Sequence, residues 1–179
     1  LGACGPAPKF NGTDLKGVDW GKELTLAGHD GKSHSLAEFK GRTVVLFFGY
    51  TQCPDVCPVT MGSLRELMAT LGTDAQRVQV LFVTVDPERD TPQLLAQYVP
   101  AFHPTFLGLY GDSAATAKVA AEFKIFYRKQ PGKDPGTYTV DHTAGAYVFD
   151  PSGRLRLYFR HGETPARMAQ DLRRLLAGE

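Results

Sequence analysis

Two runs rich in β-branched and aromatic residues, Thr43-Val-Val-Leu-Phe-Phe-Gly-Tyr50 and Val78-Gln-Val-Leu-Phe-Val-Thr-Val85, constrain the fold more than any other feature of the chain. Each has the length of a strand and lacks the strict alternation of a strand with one wet face. Each therefore suits a strand buried on both faces, in the middle of a sheet. Between them, residues 59–71 place Met61, Leu64, Leu67, Met68 and Leu71 at helical spacing. Buried strand, helix and buried strand in that order predict a sheet with helices packed on it.

The rest of the chain continues the alternation. A helix is expected from about Pro92, where proline suits a first turn, and a short strand from Thr105 to Leu109. Residues 113–124 are Ala-rich and helical, and the Gly-, Pro- and Lys-bearing stretch 129–137 reads as a loop. Ala144–Asp150 and Leu155–Arg160 form a hairpin around Pro151-Ser152-Gly153. Thr164 can cap a last helix that starts at Pro165 and runs to about Ala177. Near the start, Leu24 to Leu36 reads as a hairpin turning at Asp30-Gly31. The predicted class is α/β with a thioredoxin-like fold. It has a central mixed sheet flanked by helices, an N-terminal β-hairpin and an inserted helix and loop.

The 179 residues suit one domain, placed at 19–179, and show no internal repeat. Hydrophobic residues make up 42 %, enough for a core that needs neither disulfide nor metal to hold it. The net charge of +1 gives no electrostatic case for nucleic acid. No apolar stretch approaches the roughly 20 residues of a membrane-spanning helix. Contact with a membrane is then expected only through an N-terminal anchor. Leu1-Gly2-Ala3-Cys4 resembles the cleavage box of a bacterial lipoprotein signal, which would make Cys4 a lipid attachment site; the plainer alternative is a stray surface cysteine. Residues 1–18 as a whole are expected to be a flexible tether.

The chemistry concentrates in Gly49-Tyr50-Thr51-Gln52-Cys53-Pro54-Asp55-Val56-Cys57-Pro58, which leaves the first buried strand and opens the first long helix. In open α/β sheets ligands gather at the carboxyl ends of strands. Two cysteines four apart on a helical turn share one face, close enough for a disulfide or for convergence on one metal ion. A helix N-terminus favours thiolate, which is both the nucleophile and the metal ligand. Spacing alone leaves redox chemistry and metal binding open. Inert packing is the weaker reading of such a pair at such a junction.

A third ligand separates the two. His29 and His34 lie in the polar hairpin, His103 in a loop and His161 at a strand end, all expected near solvent. His142 directly precedes the strand 144–149, which in a thioredoxin-like sheet runs antiparallel to 43–50. That arrangement brings His142 beside Cys53 and Cys57. Two thiolates suit Cu(I), and imidazole suits copper in either oxidation state. Oxidoreductases of this fold carry a proline just before that strand; Val140-Asp141-His142-Thr143-Ala144-Gly145 has none. Asp86, after the second buried strand, and Asp141 are candidates for tuning the site from behind the ligands or for docking a partner. Glu88 and Asp90 read as solvated loop residues.

Together these blocks resemble the Sco/SenC family of copper proteins, and the likeness covers most of the chain. The stretch 49–58 is similar to the family's defining motif, Val83-Thr-Val-Asp-Pro-Glu-Arg-Asp-Thr-Pro92 to its second block, Phe102-His-Pro to a third, and Val140 to Asp150 to the block with the histidine. The resemblance implies one copper ion, Cu(I) or Cu(II), held by Cys53, Cys57 and His142. It implies a metallochaperone, facing the periplasm in bacteria, that assists assembly of the dinuclear copper site in cytochrome c oxidase subunit II. Another periplasmic copper chaperone or a thioredoxin-like reductant could be a further partner. Alternatives are a thiol–disulfide reductase of the subunit II cysteines, or a thiol peroxidase, with Cys53 and Cys57 as the redox pair.

Overall fold

The computed structural model describes residues 5–179; Cys4 lies outside them. Ten strands and four helices follow one another: β1 (Thr13–Asp14), β2 (Thr25–Gly28), β3 (Ser33–Ser35), β4 (Thr43–Gly49), α1 (Val56–Leu71), β5 (Val78–Thr84), α2 (Pro92–Phe102), β6 (Leu107–Tyr110), α3 (Ser113–Glu122), β7 (Tyr127–Pro131), β8 (Tyr138–His142), β9 (Gly145–Phe149), β10 (Leu155–Arg160) and α4 (Pro165–Leu176). Eight strands make one mixed sheet in the order β1-β10-β9-β4-β5-β6-β2-β3. Strands β4, β5 and β6 are parallel, and β9 runs antiparallel to β4 with Val45 opposite Val148. This is the expected thioredoxin-like α/β architecture.

Both long apolar runs are central. Every residue of β4 and of β5 is buried, as strands covered on two faces must be. Helix α1 lays Met61, Leu64, Leu67, Met68 and Leu71 into the core. The expected Thr164 cap is present, its side chain accepting from the Arg167 N–H at 3.3 Å, and Thr91 caps α2 in the same way, accepting from the Leu94 N–H at 3.2 Å, each with proline next in sequence.

Two expectations change. Residues 129–137 are not simply a loop: β7 and β8 form a separate two-stranded ribbon, with Lys129 paired to Val140 and Tyr127 to His142. The composition hides it, because the ribbon buries only Val140 fully and half-buries Tyr127, Gln130, Tyr138 and His142. Residues 11–14, within the stretch 1–18 expected as a tether, are docked on the body. Thr13 pairs with Tyr158, and the buried Asp171 carboxylate accepts the N–H groups of Asn11 and Gly12 at 3.0 and 2.8 Å. A polar segment with little apolar content is docked here by backbone hydrogen bonds, which leave no mark in a hydropathy pattern. No described helix is long and apolar enough to cross a membrane.

Candidate metal centre

Strand β4 ends at Gly49, and the chain turns through Tyr50–Asp55 into α1. Gly49 has to be glycine: a Cβ there would sit 2.9 Å from Cys57 Sγ and 2.8 Å from the Phe47 ring. The missing side chain is what lets the second cysteine tuck against the end of the central strand. Asp55 makes no side-chain cap for α1; the Cys57 N–H instead points at Cys53 Sγ, 3.4 Å away. Both cysteines are free thiols, Cys53 half-buried and Cys57 fully buried.

His142 ends β8. Its Nε2 is 3.3 Å from Cys57 Sγ, while its Nδ1 lies 3.0 Å from the Thr143 carbonyl oxygen. A carbonyl can only accept, so Nδ1 carries the proton and Nε2 keeps its lone pair towards the sulfurs. The ring is packed edge-on to Tyr50 and Phe47, with centroids 5.8 and 6.3 Å away. Cys53 Sγ, Cys57 Sγ and a His142 ring nitrogen all lie within 4.8 Å of one another. Among the described residues no other group of three or more such ligands converges in this way. The site opens to a cleft of about 380 Å³ lined by Tyr50, Cys53, Pro54, Val140, Asp141 and His142 among others.

Burial dominates the electrostatics. It pushes the Cys57 thiol well above its ordinary range, and the Cys53 contact adds to the shift. The thiolate stabilisation expected from the helix N-terminus is thus overruled at Cys57, because a fully buried sulfur loses its hydration. Burial also lowers the His142 pKa, against the smaller opposing effect of its Thr143 hydrogen bond, which keeps the imidazole neutral and able to ligate. A coordinating metal would displace the thiol proton outright. In reduced, metal-free protein at pH 7, alkylation of Cys57 by iodoacetamide should lag that of Cys53 by at least about tenfold, because a buried protonated thiol is a poor nucleophile. Peptide mass spectrometry checks this, and equal rates would contradict the buried geometry.

The acidic residues are arranged differently from expectation. Asp86 and Asp90 are each 1 % exposed. Asp90 is not a solvated loop residue: it accepts the Thr51 N–H at 3.0 Å, the Thr51 hydroxyl at 2.6 Å and the Thr84 hydroxyl at 2.6 Å, which fixes the cysteine loop to the end of β5. Asp86 cannot face a partner, because its carboxylate is taken by Arg89 Nε at 2.5 Å and the Tyr138 hydroxyl at 2.8 Å. Glu88 is exposed and meets Lys129, as a solvated residue would. Asp141 is exposed and accepts from Gln130. His29 and His34 are half-buried: His29 Nδ1 accepts the Gly108 N–H, and His34 bridges Asp30 and Glu38. Sequence reasoning missed Asp90 and Arg89. The only available signal was a dense polar run directly after a buried strand. The partners of the Arg89 guanidinium are Asp86, Gln52 and the Tyr138 carbonyl, and neither sulfur is among them.

A thioredoxin-like sheet with two free thiols and a neutral imidazole at the carboxyl end of its central strand defines a metal-site variant of that fold, with a donor set suited to a soft ion. The SCO1/SenC family model matches residues 13–177, and the chain belongs to that family. Over 157 residues it is 35 % identical to the mitochondrial SCO2 homolog of Bos taurus, covering 87 % of this chain and 59 % of that protein. The chain therefore spans less than two thirds of the length of that relative. ScoI of Bradyrhizobium japonicum, solved with copper bound, is 41 % identical with a TM-score of 0.79, over 86 % of this chain and 97 % of that one. Apo Sco1 of Thermus thermophilus is 41 % identical with a TM-score of 0.83, over 96 % of this chain and 99 % of that one.

Proposed function

We propose that this protein is a copper metallochaperone that takes one copper ion, Cu(I) or Cu(II), on Cys53, Cys57 and His142, and passes it on during assembly of the dinuclear copper site of cytochrome c oxidase subunit II. The observation that carries the reading is the convergence of two sulfurs and an imidazole nitrogen within 4.8 Å, with the other ring nitrogen tied to a backbone carbonyl. That tie fixes ring orientation and tautomer before the cargo arrives. Cys57 is fully buried, whereas Cys53 and His142 line the open cleft. Transfer by ligand exchange would begin at Cys53, the sulfur an incoming partner thiol can reach. Family membership supports the oxidase partner, and the lipoprotein-like box at Cys4 supports a lipid anchor on the periplasmic face of a bacterial membrane.

One observation also favours an accessory thiol–disulfide role: the pair is free, four residues apart, with one sulfur accessible and one buried. Reduction of the pair then gates loading, because only thiols can take the ion. Anaerobic titration of fully reduced protein with copper tests the main reading. One equivalent should bind, with a thiolate-to-Cu(II) charge-transfer band that is lost in Cys53 or Cys57 variants and altered in His142→Ala. No specific binding, together with turnover of a disulfide substrate, would make the pair catalytic instead.

A further inference from the structure

The ribbon that carries His142 does not belong to the main sheet. Strands β7 and β8 pair only with each other. An isolated two-stranded ribbon is marginal in water, so its position has to come from side-chain contacts with the body. Besides the His142–Cys57 contact at the site itself, four polar contacts from the ribbon to the elements beneath it are seen. The Lys129–Glu88 ion pair is more than half exposed on both sides, so it contributes little. The Val140 N–H donates to the Tyr50 hydroxyl at 3.0 Å, and the Tyr138 hydroxyl donates to Asp86 at 2.8 Å. The fourth centres on Arg89. Its guanidinium lies 3.6 Å from the centroid of the Tyr138 ring, donates to the Tyr138 carbonyl at 2.9 Å and to Gln52 Oε1 at 3.2 Å, and pairs with the buried Asp86.

One planar cation thus touches three segments: the β5–α2 loop, the cysteine loop next to Cys53, and the strand that ends in His142. Only a flat group with donors fixed in a fork can meet these acceptors and stack on a ring at the same time; a lysine ammonium has neither property. We propose that Arg89 is a positioning residue that clamps the His142 ribbon onto the cysteine loop, so that the imidazole stands beside the two sulfurs before any ion arrives. The inference rests on the copper-site reading for its consequence, not for its geometry.

The test is a double-mutant cycle for Cu(I) affinity, measured with a competing chelator on reduced protein, joined to amide hydrogen exchange of the copper-free protein. Arg89→Met should weaken Cu(I) binding about ten- to a hundredfold, the range for groups that orient a metal ligand. In a His142→Ala background the same change should weaken it less than about twofold, because the clamp acts through the imidazole. In copper-free Arg89→Met, amides of 127–142 should exchange at least about tenfold faster, with those of β4 and β5 unchanged. Equal effects in both backgrounds, or unaltered exchange in the ribbon, overturns the proposal. If Arg89→Met does not fold, Arg89→Lys, which keeps the charge but not the fork, carries the same cycle. A wild-type protein that binds no copper would overturn the reading of the site, while the exchange measurement still decides the clamp by itself.

Discussion

Replacing Cys57 by alanine should lower copper affinity about a thousandfold while leaving a folded protein. Structural zinc sites in zinc-finger peptides bind with about 10–16 kcal/mol of apparent free energy; on that scale one ligand of three carries roughly 3–5 kcal/mol, or two to four decades in affinity. No other group stands ready to replace it: among the described residues Cys53 and His142 are its only partners in a ligand cluster. The fold should survive, because the core is built from more than forty buried apolar side chains, of which Cys57 is one of the smallest. Chelator competition on the reduced variant measures the first statement, and near-ultraviolet circular dichroism the second. Wild-type affinity in Cys57→Ala would remove the buried sulfur from the ligand set. The same substitution at Cys53 should act as strongly on affinity.

The second large effect is on stability. Asp90→Ala should destabilise the reduced, copper-free protein by about 3 kcal/mol. The change strands three donors, the Thr51 N–H, the Thr51 hydroxyl and the Thr84 hydroxyl, in a place where the carboxylate is 1 % exposed. Each stranded donor costs about 1–3 kcal/mol, partly offset by water entering the space and by relief of the buried charge. Burial raises the Asp90 pKa, with the three hydrogen bonds pulling the other way. For an acid raised on folding, the stabilising contribution is complete below the ordinary carboxylate pKa and is lost as pH rises through the folded value. The difference in stability between the wild type and Asp90→Ala should therefore narrow as pH climbs through that window. Urea unfolding at several pH values measures both effects. A loss below about 1 kcal/mol at pH 7 would mean that Asp90 does not brace the cysteine loop.

The parts of the molecule legible in the sequence share one property: their signal is local. The run from Thr43 to Tyr50 suits a strand buried on two faces, by its length and β-branched content, and Met61, Leu64, Leu67, Met68 and Leu71 fall on one helical face. Thr164-Pro165 marks its helix start by capping chemistry alone. The cysteines were legible because a strand-to-helix junction fixes where their sulfurs point. His142 was legible by one further step, the antiparallel pairing of the following strand with β4, which the structure contains.

The rest depended on contacts distant in sequence. Residues 129–131 read as part of the loop 129–137 because their charges face water, and only pairing across the ribbon makes them strand, while 132–137 form the connecting loop. Arg89 and Asp90 stand side by side in a run that reads as solvent-facing. The fold buries both carboxylates of Asp86 and Asp90 and sends the Arg89 guanidinium to Tyr138, 49 residues away. The docking of residues 11–14 likewise depends on Asp171 and β10, at the other end of the chain. The sequence by itself determined the central buried strands and the helices and pointed to Cys53, Cys57 and His142 as candidate ligands, because hydrophobic periodicity, capping and donor chemistry act over a few residues. Only the tertiary structure decided the protonation of Cys57, the tautomer of His142 and the contacts of Arg89 that join the His142 ribbon to the cysteine loop. Burial, ring orientation and guanidinium geometry exist only once distant segments have packed together.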